Sequence, residues 1–237
     1  VVPVGATMGA PYVPLSQSNY GRPFRLVYSG NLGRYHDFES LLDCAKKLSP
    51  EGFEFTIVGN GAKRSYILNR ISDEAIDNVK VHEFLPESDY AALLASSDAC
   101  FVTMEAGIEG TCVPSKFYSI MGAGRATLAA ASSGSEVAYS IEEHDCGLVV
   151  NPGDPYLLEQ ALRELKSNPA RTAEMGENGR LAYMDFYGSA ETARSVFGIL
   201  MSLAPKSKAS LQDVFTKPDR QIERSELEER GRLLPTE

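Results

Sequence analysis

The sequence predicts an α/β protein built on a doubly wound, parallel, six-stranded sheet of the Rossmann-like type. From Phe24 onward, short runs of apolar and β-branched residues alternate with longer segments of helical periodicity. Several of the short runs are apolar almost throughout, which is typical of strands covered by helices on both faces. One helical segment fills each gap, and right-handed crossovers through such units produce a twisted parallel sheet.

Six segments are predicted as strands: Phe24–Gly30, Phe53–Gly59, Val79–Phe84, Ala99–Met104, Ala126–Ala131 and Gly147–Asn151. Helices are predicted at Phe38–Leu48, Lys63–Ile76, Ser88–Ser97, Ser115–Ala123, Ser135–His144 and Asp154–Lys166, with a last helix near Ser189–Leu203. The start at Asp154 is well defined, since this residue can cap the helix and Pro155 suits its first position.

Composition and charge exclude several function classes. The chain has 237 residues, of which 43% are hydrophobic, and a formal net charge of -9. This charge argues against a general attraction to nucleic acid or anionic lipid, and no apolar run approaches the roughly 20 residues of a membrane span. The four cysteines lie far apart without a CxxC pair, which favours reduced thiols in a cytoplasmic protein over disulfides or a zinc site.

The chain divides into three predicted parts. Residues 1–23 contain four prolines and read as an extended linker, residues 24–203 form one domain, and residues 204–237 form a charged tail, expected to be flexible. A short helix that docks on a partner through the tail's few apolar residues is the alternative. No signal peptide is recognisable and Val1 stands in place of Met, so we expect a fragment, a processed chain or an excised domain.

The loop after the first strand has features of an anion site. In an open α/β sheet, ligands bind beyond the carboxyl ends of the strands, where the strand order reverses. Gly30-Asn31-Leu32-Gly33-Arg34 leads into the first helix. Its glycines let backbone N–H groups approach an anion, and Arg34 can grip two phosphate oxygens. A tight turn with a surface arginine explains this loop, taken alone, equally well.

The loop after the fourth strand contains an unusually placed charge. It carries Glu105 and Glu109 and ends in Pro114-Ser115-Lys116, which opens a helix. Ser115 suits the N-cap, whereas Lys116 in the first turn opposes the helix dipole unless an anion lies nearby. We therefore expect an anion here. The alternative is a lysine that extends into solvent.

The loop after the third strand, Phe84-Leu85-Pro86, suits a nucleobase. A backbone kinked by proline can present its polar groups to the base while Phe84 or Leu85 packs against the face of the ring. An ordinary strand-to-helix turn is the alternative, and it is the favoured interpretation of this segment by itself.

Taken together and in this order, the segments resemble the C-terminal domain of retaining GT-B glycosyltransferases of family 4, the "glycosyl transferases group 1" type. The resemblance covers about Phe24 to Leu203. It is carried by FRLVYSGNLGRYHDFESLLDCAKKL, FTIVGNGAKR, VHEFLPESDYAALLASSDACFV, EGTCVPSKFYSIMGAGRATLAA and GSEVAYSIEEHDCGLVVNPGDPYLLEQAL. It implies a single GT-B half with extra C-terminal helices, and VVPVG at the start resembles the hinge phrase that follows the first domain of such enzymes.

The resemblance implies a role for each loop. The first loop and Lys116 should meet the donor diphosphate, Phe84 and Leu85 should lie beside the base, and Glu109 with its neighbours should face the sugar. The candidate catalytic residues are Arg34, Lys116 and Glu109. The candidate substrate-binding residues are Gly30, Asn31, Gly33, Phe84, Leu85, Gly110, Thr111, Cys112, Pro114, Ser115 and Ser119.

The sequence departs from the family pattern at three positions. Ser119 stands where the family has a glutamate that reads a ribose, so weaker ribose binding is expected. The usual Arg and Lys of the first loop fall on Asn31 and His36, which leaves Arg34 as a shifted substitute. No DxD motif is present in the candidate site, so we expect cationic side chains in place of Mg²⁺ and no cofactor.

Within family 4, SGNLGRYHD with VPSK resembles the amino-sugar transferase branch that builds bacterial surface polysaccharide. The function this implies is transfer of an N-acetylated sugar from a UDP-sugar to a glycan or lipid-linked acceptor. The expected partners are the nucleotide-sugar and an acceptor-binding domain or subunit, without nucleic acid or direct membrane insertion. The enzyme would work in the cytoplasm, reaching the inner membrane face through the missing part, and this chain alone should be inactive.

Other functions stay open at this point. A non-catalytic module that binds a nucleotide or nucleotide-sugar is favoured slightly by Ser119 and by the lost Arg and Lys. An epimerase of GT-B architecture lacks its expected histidine and carboxylate pattern here. A glycosidase-type pair from Glu105 and Glu109 is a minor alternative.

Overall fold

The computed structural model describes residues 21–108 and 115–203, and it confirms the predicted doubly wound sheet. Six parallel strands lie in the order β3-β2-β1-β4-β5-β6. They are β1 (Phe24–Ser29), β2 (Phe53–Val58), β3 (Val79–His82), β4 (Ala99–Thr103), β5 (Ala126–Ala130) and β6 (Gly147–Val150). The predicted tail and all but the end of the predicted linker lie outside the described residues.

The helices of the described chain are α1 (Phe38–Leu48), α2 (Arg64–Asp73), α3 (Glu87–Ser96), α4 (Lys116–Gly122), α5 (Glu136–His144), α6 (Pro155–Ser167), α7 (Pro169–Ala182) and α8 (Ser189–Leu203). The residues up to Gly198 belong to one compact unit, and the end of α8, from Ile199, belongs to a second unit. Within the described ranges, no helix is both long and apolar enough to cross a bilayer.

Helices cover both faces of the sheet, which explains the nearly continuous apolar strands. On one face, α1, α2 and α6 contribute Leu41, Leu42, Ile67, Leu158 and Leu162 to a core that includes Leu26 and Phe55. On the other face, α3, α4 and α5 contribute Leu94, Phe117, Val137 and Ile141 to a core that includes Val27 and Val102. Adjacent residues of one strand, such as Leu26 and Val27, therefore point into different cores.

Helix starts agree with the sequence signals, with one difference. The Asp154 carboxylate accepts a hydrogen bond from the backbone N–H of Leu157 at 2.9 Å, as predicted for that start. Ser115 occupies the cap position of α4, but its hydroxyl makes no capping hydrogen bond. The three described cysteines, Cys44, Cys100 and Cys146, are buried free thiols.

Helix α7 was not predicted, because glycines make up part of its buried face and no clear apolar stripe marks it. Gly176 and Gly179 are both buried. A Cβ atom added at Gly176 would lie 2.4 Å from the carbonyl oxygen of Gly124. The backbone of α7 therefore packs directly against the backbone that precedes β5. Period-based sequence analysis looks for large apolar side chains and therefore misses such a helix.

The strand order reverses between β1 and β4, which are hydrogen-bonded neighbours at the centre of the sheet. Both strands end at the same edge of the sheet, and the helices that follow them, α1 and α4, pack on opposite faces. This divergence opens a crevice at the edge, and ligands of doubly wound proteins bind at such a place.

Candidate functional site

A cleft of about 500 Å³ opens at this reversal point. Its lining combines the loops after β1 and β3 with the end of β2 and the first turns of α3 and α4. The lining residues are Ser29, Gly30, Asn31, His36, Val58, Phe84, Leu85, Tyr90, Ser115, Lys116 and Ser119. Parts of the three loops selected from the sequence therefore meet at one cleft.

Lys116 lies across the first loop. Its Nζ donates a hydrogen bond of 2.7 Å to the Tyr28 hydroxyl and sits 4.1 Å from the centroid of that ring. The Tyr28 hydroxyl in turn donates to the carbonyl oxygen of Asn31 at 2.7 Å. Burial raises the pKa of Tyr28, so this phenol stays neutral. The ammonium group is thus held beside the loop expected to meet a diphosphate.

Gly30 provides the space that Lys116 occupies. A Cβ atom at this position would lie 2.9 Å from Nζ and 3.0 Å from Cε of Lys116. The Gly30 backbone also has a φ of 140°, which L side chains rarely adopt. Any larger residue here would both strain the loop and displace the ammonium group.

His36 also lines the cleft, on the far end of the first loop. Its Nδ1 lies 2.6 Å from the carbonyl oxygen of Thr103, at the end of β4. Burial lowers the pKa of His36, and the positive charges of Lys116 and Lys63 lower it further, against the opposing effects of the Thr103 carbonyl and Glu105. The imidazole is therefore biased towards its neutral form.

Lys63 joins three of the strand-end loops beneath the cleft. Its Nζ donates to the carbonyl oxygen of His36 at 2.8 Å and to carboxylate oxygens of Glu39 and Glu105 at 3.2 and 3.0 Å. Burial opposes this charge, but the hydrogen bonds with Glu105 and Glu39 outweigh it and raise the pKa of Lys63. The loops after β1, β2 and β4 are held together by one cation.

The opposite end of the cleft is mainly apolar. Phe84 is 64% exposed, so one face of its ring is open to a planar ligand. Leu85 and Val58 line the adjoining wall. Behind them, the Ser29 hydroxyl donates to the Tyr90 hydroxyl at 2.9 Å, and burial raises the pKa of Tyr90. This end suits the face of a nucleobase better than a charged group.

Some predicted site residues are not among those that line the cleft. Arg34 is exposed on the first loop, and neither it nor Gly33 belongs to the lining. Glu109, Gly110, Thr111, Cys112 and Pro114 lie outside the described residues. Roles for all of these residues stay predictions. Glu105 is an ion-pair partner of Lys63, and across the described segments no group of His, Cys, Asp or Glu side chains is arranged to hold a metal ion.

Several lining residues were not selected from the sequence. Ser29, Val58 and Tyr90 reach the cleft only because three separate strands end there. Tyr28, which positions Lys116, looks like an ordinary buried strand residue in the sequence. His36 has one signal in the sequence, since it stands where the resembled family carries a lysine.

The fold and the cleft at its reversal point define a Rossmann-like domain of the doubly wound class. Within that class, residues 16–182 match the family described as Glycosyl transferases group 1, and the chain belongs to that family.

Two curated relatives are similar to this chain. The probable glycosyltransferase WbjE of Pseudomonas aeruginosa is 28% identical over 156 residues, which cover 66% of this chain and 38% of WbjE. The putative colanic acid biosynthesis glycosyl transferase WcaI of Escherichia coli K12 is 27% identical over 120 residues, covering 49% of this chain and 29% of WcaI. The chain therefore spans well under half the length of these relatives.

Solved structures show the same fold. Sucrose-phosphate synthase of Thermosynechococcus elongatus superposes with a TM-score of 0.71 and 19% identity, over 85% of this chain and 52% of that one. HepE of Anabaena, solved in complex with UDP-glucose, gives a TM-score of 0.66 and 18% identity, over 79% of this chain and 51% of that one. This chain corresponds to about half of each of these proteins.

Proposed function

We propose that this chain is the donor-binding part of a retaining glycosyltransferase and that its cleft binds a UDP-sugar. The observation that carries the proposal is the Lys116 ammonium group, held against Gly30 where the strand order reverses. Membership of the glycosyl transferases group 1 family supports it, as do the complexes of HepE with UDP and UDP-glucose.

The donor would lie along the cleft with its diphosphate between the first loop and the start of α4. Gly30 and Asn31 offer backbone there, and Lys116 supplies the positive charge. The base would extend towards Phe84 and Leu85. Ser119 lies one turn after Lys116 on the same side of α4, so its hydroxyl is in reach of a ribose in this pose.

Lys116 would assist the chemistry by stabilising the leaving diphosphate. Breaking a sugar–diphosphate bond builds negative charge on the phosphate, and one preorganised donor contributes about 3 kcal/mol to such a transition state. Arg34 is the proposed second cation and would have to turn towards the cleft from its exposed position. Glu109 is proposed to orient sugar hydroxyls. With these side chains in place of Mg²⁺, the proposed reaction is independent of metal.

The finer parts of the proposal concern the sugar and the acceptor. We propose an N-acetylated sugar, a glycan or lipid-linked acceptor, and an acceptor-binding part supplied by the length that the relatives have and this chain lacks. The enzyme would work in the cytoplasm, at the inner membrane face through that acceptor-binding part.

Isothermal titration calorimetry with UDP, GDP and ADP tests the proposal. We expect UDP to bind, and we expect Lys116→Met to weaken it by about 2 kcal/mol, roughly thirtyfold in Kd, because a hydrogen bond to a charged group is lost. Lys80→Met is the matched control, since this exposed lysine lies on β3 outside the lining. Absence of binding by any nucleotide at millimolar concentration would contradict the proposal.

A second candidate is a non-catalytic module that binds a nucleotide-sugar. The position of Arg34 outside the cleft lining favours such a module. A transferase needs positive charge beside the leaving phosphate, and Arg34 does not supply it from this position. The two functions separate when this chain is assayed with acceptor and with the part of WbjE that it does not match. A module binds UDP-sugar without turnover, whereas a transferase releases UDP.

A further inference from the structure

We propose that His36 is a phosphate-binding residue of the cleft, which takes up a proton when a nucleoside diphosphate enters, so that donor affinity depends on pH. The inference rests on the proposed function, because it assigns the ligand's phosphates to the same cleft. The resembled family carries a permanently charged lysine at this position, so what the inference adds is a group whose charge depends on pH and on the bound ligand.

The hydrogen bond at Nδ1 decides which nitrogen titrates. Nδ1 lies 2.6 Å from the Thr103 carbonyl oxygen, and a carbonyl oxygen can only accept. Nδ1 therefore carries a hydrogen in both protonation states of the ring, and Nε2 is the atom that gains or loses the proton. Within the described part of the chain, Nε2 has no hydrogen-bond partner, while the ring itself lines the cleft beside Gly30 and Lys116.

The charged groups around His36 come from several elements. Lys116 faces it from the start of α4, Lys63 from the start of α2, and Glu105 from the loop after β4. The Tyr28 ring of β1 packs edge-on against the imidazole at 6.0 Å between centroids and is neutral, and Phe38 of α1 packs at 6.2 Å. Burial and the two lysines hold the pKa of His36 below its ordinary value, so the empty cleft favours the neutral ring.

A bound diphosphate reverses this balance. Its negative charges oppose the field of Lys116 and Lys63, and its oxygens accept a hydrogen bond from protonated Nε2 but none from the bare nitrogen lone pair. The pKa of His36 then rises on binding. By linkage, the protonated protein binds more tightly, and affinity falls as pH rises from the pKa of the empty protein to that of the complex. Each unit between those two pKa values corresponds to a tenfold change in Kd.

The test is calorimetric titration of the 237-residue chain with UDP between about pH 5.5 and about pH 8.5, in buffers of different ionisation enthalpy. We expect the wild type to lose at least tenfold in affinity across this range and to take up a proton on binding. His36→Gln, which stays neutral, should lose that dependence and show only the share due to the UDP phosphate, whose own pKa is about 6. His36→Lys, which stays charged, should bind tightly even at high pH.

His82→Gln is the matched control, because His82 is exposed at the end of β3 and outside the cleft lining. This variant should keep the pH dependence of the wild type. If UDP binds His36→Gln with the same pH dependence and proton uptake as the wild type, the inference is wrong and the proposed function stands. If UDP fails to bind the wild type at every pH, both are wrong.

A second measurement avoids the risk that a His36 variant misfolds. The Cε1 proton of His36 in the wild-type protein can be titrated by NMR, free and saturated with UDP. We expect the pKa of the ring to be higher in the complex. An unchanged or lower pKa would overturn the inference without any substitution.

Discussion

At the scale of the residue, Lys116 and Gly30 depend on each other. The lysine crosses the loop after β1 at a distance that leaves no room for a side chain at position 30, and the Tyr28 hydroxyl fixes its ammonium group there. The sequence indicated an unusual cation in the first turn of a helix. In the structure, this cation lines the cleft at the point where the strand order reverses between β1 and β4. A substitution at Gly30 therefore tests the role of Lys116.

Gly30→Ala should weaken UDP binding about tenfold, because the new methyl group displaces Nζ of Lys116 and strains a backbone of φ 140°. Calorimetry measures the change. Gly21→Ala is the matched control, since Gly21 also has a positive φ, of 94°, but nothing lies within 4 Å of its added Cβ. Equal affinities of the two variants for UDP would show that the contact between Gly30 and Lys116 has no part in binding.

At the scale of the element, Arg125 joins the carboxyl ends of two helices that shape the cleft. Its side chain is almost completely buried and donates hydrogen bonds to the carbonyl oxygens of Leu94 and Ala95, near the end of α3, and of Ala123 and Gly124, after α4. Carbonyls at the end of a helix lack the usual partner within it, although that of Leu94 also accepts hydrogen bonds from Ser97. A cation is favourable at this end of the helix dipole. Arg125 thus anchors the end of α4, the helix whose first residue is Lys116.

Arg125→Met should lower the free energy of unfolding by about 3 kcal/mol, because the carbonyl groups of Ala95, Ala123 and Gly124 each lose the hydrogen bond that Arg125 donates. Urea denaturation followed by circular dichroism measures it. Arg171→Met is the comparison, since Arg171 pairs with Asp145 and Glu174 at the surface, where removal of an ion pair costs about 1 kcal/mol or less. A similar loss in both variants would mean that the carbonyl contacts of Arg125 add no stability.

Strands and most helices were predictable because their signals are local. Runs such as FRLVYS and FEFTIV consist mainly of apolar residues, and α1 begins and ends at the predicted residues, Phe38 and Leu48. Helix α7 was not predictable, since two of its five buried residues are glycines and the others do not form a clear apolar stripe. At the cleft, the sequence indicated Gly30 and Lys116 through turn and dipole arguments. It could not indicate Tyr90, because that position becomes part of the site only when the strand ends converge.

At the scale of the whole molecule, the chain matches only part of the length of its relatives. It covers 38% of WbjE and about half of the superposed structures, and the cleft lies along one edge of its single sheet. Under the proposed function, the donor site can be complete on this chain while the acceptor site is not, so we expect binding and transfer to separate experimentally.

The isolated chain should bind UDP-N-acetylglucosamine and release no UDP from it, because no acceptor is held in line with the sugar. A coupled assay for free UDP measures this. Release of UDP by the wild type that disappears in Lys116→Met would contradict the expectation and show that the chain is catalytically self-sufficient. Equally slow release of UDP by the wild type and by Lys116→Met would indicate spontaneous hydrolysis of the nucleotide-sugar.

The reversal of strand order also has a mechanical consequence. Ser29 to His36 belong to the half of the sheet that continues into β2 and β3, whereas Ser115 to Ser119 belong to the half that continues into β5 and β6. A nucleotide in the crevice would bridge these halves as a non-covalent cross-link. At a hundred times its Kd, the nucleotide would add about 2.7 kcal/mol to the free energy of unfolding. Thermal denaturation would therefore detect binding as a rise in Tm.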